Sequence, residues 1–121
     1  MANTLGFFKD FKGADTVLLS TTAEGAADLA KQLQRFASSS MASLKIEAAE
    51  VPEHFTQLFA VREAQALTTG SGFRWLCGPK QIAQIEGKLN ALANASSGHQ
   101  YFELLDSRVQ LLVSIGEYHA S

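Results

Sequence analysis

The chain reads as an α+β domain: two β-α-β-β units in pseudo-symmetric tandem, forming a mixed sheet of about six strands with two helices on one face. Three observations predict this. Val17, Leu19, Ala26, Leu29, Leu33 and Phe36 line up, at one constant offset, with Phe73, Trp75, Ile82, Ile85, Leu89 and Leu92. At a slightly shorter offset, Phe55, Phe59, Val61 and Glu63 line up with Val109, Val113, Ile115 and Glu117. Such internal repetition is an architectural signal. Each half also carries one helix with a single apolar stripe, and that helix needs a sheet to lie against. The units run over residues 14–65 and 73–119 of a single domain, 1–121.

Taken in order, Leu5–Lys12 is ambiguous. Phe7, Phe8 and Phe11 have the spacing of a short helix or turn. Gly13-Ala14-Asp15 marks a turn, and the β-branched, apolar run Thr16–Ser20 predicts a strand. Thr21, with Glu24 three residues on, has the capping-box pattern for a helix. Ala26, Leu29, Ala30, Leu33, Phe36 and Ala37 form its buried stripe. Ser38-Ser39-Ser40 ends it, and Ser43–Glu47 alternates as a second strand. Pro52 marks a loop, since proline lacks a ladder donor, and Phe55–Arg62 predicts a third strand.

Ala66–Gly72 is the expected connection between units. Phe73–Cys77 predicts a strand. Gly78-Pro79 starts a helix, with proline at its first position. Ile82, Ile85, Leu89 and Leu92 form that helix's stripe, and Gly87 within it marks close packing. His99–Leu105 and Val109–Tyr118 predict the last two strands, joined by a turn at Asp106-Ser107-Arg108.

Alternation then sorts the faces. Val109, Leu111, Val113 and Ile115 should meet the helices. Gln110, Leu112, Ser114 and Tyr118 should face away, and Leu58 joins them by the repeat relation. Arg62, Arg74, Tyr101, Glu103 and Tyr118 are the expected partner-binding residues on this helix-free face. Arginine and tyrosine are enriched where interfaces concentrate their energy. A competing expectation places recognition on the loop Glu47–His54, because loops on rigid scaffolds often carry function.

Composition narrows the function classes. The chain has 121 residues, 46% of them hydrophobic and 18% charged, with a net charge of −2. No basic stripe is present to neutralise phosphates, so nucleic acid is not an expected partner. No run of residues is long and apolar enough to span a bilayer, so no membrane partner is expected. Cys77, alone of its kind, excludes an internal disulfide framework and suits a reducing, cytoplasmic compartment. Cys77 is also the sharpest catalytic suspect, because a helix start lowers a thiol's pKa. It lacks a base at a recognisable spacing, since His54, His99 and His119 are scattered. Its counterpart is Thr21, so a small buried side chain is the expected role. Glu47, Glu50, Glu53 and His54 could supply metal ligands from one loop, but a solvated loop is the expected reading. Thr69-Gly70-Ser71-Gly72 lacks the Gly-Lys-Ser/Thr ending of a phosphate loop and precedes a strand. The expectation is therefore no catalytic, cofactor-binding or metal-binding residue.

Gly98-His99-Gln100-Tyr101-Phe102-Glu103-Leu104-Leu105, followed by Leu111–Tyr118, resembles the C-terminal part of small bacterial immunity proteins of polymorphic toxin systems. The resemblance covers the last third of the chain and carries no diagnostic motif. It implies a stoichiometric inhibitor whose surface plugs a toxin's active site. The function expected is thus a non-enzymatic protein-binding domain with a toxin domain or a second copy as partner. The alternatives are a small enzyme or ligand-binding domain with a pocket between the units, or a structural homodimer.

Overall fold

The residues from Thr4 to Thr21 form one hairpin, not a turn of helix followed by a strand. In the computed structural model, which describes residues 3–11, 13–64, 72–95, 97–106 and 108–116, β1 (Thr4–Phe11) pairs antiparallel with β2 (Ala14–Thr21). The three phenylalanines fit either period. The hairpin is decided by Gly13 at φ 90, a left-handed turn conformation that glycine takes without penalty. The Asp15 carboxylate accepts from the Asp10 N–H at 2.8 Å and closes the turn.

The remaining elements are α1 (Ala23–Ser38), β3 (Ser43–Lys45), β4 (Ala49–Glu50), β5 (Leu58–Val61), β6 (Phe73–Leu76), α2 (Ile82–Ala93), β7 (Gly98–Glu103) and β8 (Val109–Ile115). The α+β class is as expected. The strands divide into two sheets, however, where one of about six strands was expected. One sheet has the order β4-β1-β2-β8-β7 and the other β3-β5-β6. β2 lies parallel to β8, and β7 antiparallel to β8. In the second sheet β6 lies parallel to β5, and β3 antiparallel to β5. β2 and β6, expected as equivalent strands of one sheet, are therefore in different sheets.

Both sheets and both helices share one core. α1 packs on α2. Leu29, Leu33 and Phe36 of α1 and Ile85, Leu89 and Leu92 of α2 are buried in one cluster with Val17, Leu19, Leu111, Val113 and Trp75. Val109 packs against that cluster and Ile115 lies in it, so the expected helix-facing set of the last strand holds. Leu58 and Ala60 belong to it as well, which corrects the placement of Leu58 on the far face. Pairing sets Ala60 beside Trp75 and Val113 beside Leu19. The apolar match sets Phe59 level with Val113, whereas the pairing sets Ala60, one residue on, beside Trp75. With a side-chain period of two, that single step flips the face.

Helix ends also differ from expectation. Thr22, not Thr21, caps α1, its hydroxyl accepting from the Gly25 N–H at 3.0 Å. Thr21 instead donates to Asn3 Oδ1 at 2.5 Å. Gly25 is obligatory beside this pair, because a Cβ there would lie 2.0 Å from Thr21 Oγ1. At the second helix, residues 78–81 form a turn and α2 begins at Ile82, so Pro79 precedes the helix. Gly87 is exposed, with nothing within 4 Å of a Cβ built on it; it marks open space and not close packing. Among the described residues, no helix is long and apolar enough to cross a membrane.

Candidate functional site

The four expected partner-binding residues that are described do not share one face. Arg62 follows β5 and caps the C-terminus of α1. Its guanidinium donates to the carbonyls of Phe36 at 2.6 Å, Ala37 at 2.7 Å and Met41 at 3.1 Å, and to Ser39 Oγ at 3.1 Å. It also lies 5.2 Å from the centre of the Phe36 ring. Arg74 is on β6, while Tyr101 and Glu103 are on β7 of the other sheet. Tyr118 lies outside the described residues.

The helix-free face of the five-stranded sheet is closed at its centre. Leu18, Leu112 and Ser114 are all buried there, with Ser114 only 1% exposed. Thr4, Ser20 and Ser114 are direct cross-strand neighbours in one row. Their hydroxyls are out of contact with solvent and have no hydrogen-bond partner among the described residues. Only the rim of this face is open, with Tyr101 38% exposed.

Two of the expected residues, Tyr101 and Glu103, do converge elsewhere. A groove of about 580 Å³ lies between β6, α2 and β7, within the size range of ligand pockets. Its walls include Tyr101, Glu103 and Gln110 on one side and Trp75 and Leu76 on the other. Gln81, just before α2, and Gln84, Ile85 and Lys88 of α2 complete it. Their spacing puts them on one face of the helix, a half-polar stripe that the sequence displays and that a search for purely apolar stripes passes over. On the groove's lining, the Leu105 N–H donates to the Arg74 carbonyl at 2.9 Å. Asp106 holds the same spot, accepting from the Arg74 backbone N–H at 2.8 Å and pairing with its guanidinium at 3.4 Å. Both charged side chains are about a third exposed, so the ion pair positions Arg74 more than it stabilises the fold.

Lys88 bridges α2 and β7. Its ammonium donates to the Tyr101 carbonyl and lies 4.4 Å from the centre of the Phe102 ring, a cation–π distance. Trp75 packs on Phe102 with ring centres 5.0 Å apart, joining the second sheet to the groove floor.

Cys77 is fully buried behind this site, in the core and not among the groove-lining residues. Its N–H donates to the Val61 carbonyl at 2.8 Å. Burial pushes the Cys77 thiol well above its ordinary range, so it stays protonated. Among the described residues, no three His, Cys, Asp or Glu side chains gather to hold a metal ion. His54 sits instead at the far edge, its Nδ1 3.1 Å from the Phe7 carbonyl and its ring stacked on Phe8. The loop around it presents Phe55, 58% exposed. Compared with protein-family models, with curated proteins and with solved structures, the chain gives no match.

Proposed function

We propose that this chain is a non-enzymatic protein-binding domain that recognises its partner at the β6–α2–β7 groove, acting as a stoichiometric inhibitor of the immunity type. The observation that supports it most is the make-up of that groove. Tyr101 stands partly exposed beside an apolar floor of Trp75, Ile85 and Phe102, with Glu103, Lys88 and three glutamines around it. This is recognition chemistry: an aromatic anchor and satisfiable polar groups at the rim of a dry centre. The same reading treats the chain as two β-α-β-β units. Its support is that β2·β8·β7 and β6·β5·β3 follow one pairing pattern, parallel then antiparallel.

The test is affinity capture from the source cells, followed by calorimetry with the captured protein. Anchors of this type commonly contribute about 2 kcal/mol or more each. Tyr101→Ala with Arg74→Ala should therefore lower affinity by more than about 30-fold, with the denaturation midpoint little changed. Unchanged affinity would remove the groove from the reading. A second reading rests on Phe55, the most exposed large apolar side chain among the described residues. Loss of binding in a Glu53/His54/Phe55 alanine variant, with full binding by the groove variant, would move recognition to that loop.

A further inference from the structure

We infer that the groove receives an extended segment of a partner polypeptide, which adds a further strand to the outer edge of β7; this rests on the protein-binding reading above. β7 ends its sheet, with β8 on one side and no strand on the other among the described residues. The Tyr101 carbonyl accepts from Lys88, so it points away from β8. The Leu105 N–H, of the same parity, also points outward, to Arg74. The pleat then turns the N–H and C=O groups of Glu103 and the N–H of Tyr101 to the same open edge. A strand edge with open backbone donors and acceptors is a template for another extended chain.

The groove is shaped to seat one. β6 is the edge of the other sheet, and its Leu76 has the parity of Arg74, so the two open edges face each other across the groove. They are tied together at Leu105 and Arg74, and residues of both strands line the groove beside this tie. Side chains of an added strand would point alternately toward the apolar wall of Trp75, Ile85 and Phe102 and toward Tyr101, Glu103 and Gln110.

Lys88 selects the occupant. Its ammonium, reaching over from α2, holds the Tyr101 carbonyl, the acceptor at the middle of the edge. A second copy pairing edge to edge about Tyr101 would bring two Lys88 ammoniums together, and like charges oppose that arrangement. A partner segment without a cation at this point, and with an acidic side chain beside Lys88, meets no such opposition.

The experiment uses the full chain and a displayed library of random linear peptides. Selected peptides should carry Asp or Glu more often than Lys or Arg at their centre. On binding, amide exchange of Tyr101 and Glu103 should slow by about tenfold or more, while Gln100 and Phe102, already bonded to β8, stay unchanged. N-methylation of the peptide at alternate residues should abolish binding in one parity and spare it in the other. Lys88→Met keeps the stem over Phe102 and frees the Tyr101 carbonyl. Peptides selected with that variant should lose the excess of Asp and Glu at their centre.

No selected peptide, indifference to the parity of N-methylation, or unchanged exchange at Tyr101 and Glu103 would each overturn the inference. So would protection of those amides by concentration alone, with a dimer in sedimentation. A captured partner that needs Tyr101 but leaves both amides exchanging freely would defeat strand addition and leave protein binding standing. A captured partner indifferent to Tyr101 would defeat both at this groove.

Discussion

Replacing Arg62 should unlatch the end of α1. The guanidinium satisfies the carbonyls of Phe36, Ala37 and Met41 and the Ser39 hydroxyl, four hydrogen bonds to one group. The last carbonyls of a helix have no partner within it, and a cation there also meets the negative end of the dipole. The dipole contribution is about 0.3–1 kcal/mol at a partly open site. Bonds to a charged group contribute about 1.5–3 kcal/mol each at most. They share one side chain, and water can reach the carbonyls when it is removed, so the contributions do not add. Arg62→Ala should cost about 2–4 kcal/mol. With an unfolding entropy of about 2.1 cal/mol/K per residue, each kcal/mol shifts the Tm of a chain this long by about 4 °C. Scanning calorimetry should thus show a fall of about 8–16 °C, with an unchanged m-value in urea. Arg62→Lys, which keeps the charge and loses the planar fork, should recover less than half. An alanine variant within about 0.5 kcal/mol of the parent would show that the four bonds contribute no net stability.

Other substitutions test the core and the helices. Leu89→Ala should cost about 2–5 kcal/mol in chemical denaturation, because Leu89 is fully buried where the helices meet. Gly87→Ala should raise stability by about 0.5–1 kcal/mol, since a Cβ there meets open space in a helix interior. Cys77 links stability to alkaline pH. The folded thiol stays protonated while the unfolded one ionises above its ordinary 9.0. Its contribution is therefore complete below pH 9.0 and lost as pH rises, by about 1.4 kcal/mol per unit. Cys77→Ala should lack this component of the pH profile, and wild-type Cys77 should react with a thiol reagent only after denaturant is added.

The sequence reveals its elements better than their partners. α1 and α2 were legible because a stripe such as Leu29, Leu33 and Phe36 is local and periodic. β2 was legible for the same reason, from Thr16 to Ser20. β1 was not, because Phe7, Phe8 and Phe11 satisfy both periods and the decision lies in the pairing with β2. The split into two sheets was hidden because β2 finds its parallel partner at the other end of the chain. No local pattern records that choice. Leu58 went to the wrong face through one residue of offset. Tyr101 and Glu103 were visible as an exposed alternating pair, and they do line the groove. Lys88, Gln81 and Gln84 were missed there, since the groove exists only where edges from separate sheets approach. Arg62 was visible as an arginine at a strand end, but its helix-capping role depends on α1 ending beside it.

The position of β8 sets an order of events for synthesis. It is the last strand in chain order among the described residues, and it is inserted between β2 and β7 in the interior of its sheet. The hairpin of β1 and β2 can close as soon as it leaves the ribosome. Its inner edge, with Val17, Leu18 and Leu19, then waits unpaired while almost the whole remaining chain is translated. β6 is also needed to complete the sheet that β3 and β5 begin. Neither sheet can be finished from the first half of the chain alone. Cooperative folding therefore waits for β8, slowed by the sequence distance between partners. Until the seventh residue of β8 emerges, the nascent chain exposes an apolar strand edge, the kind of surface that chaperones shield and aggregates recruit.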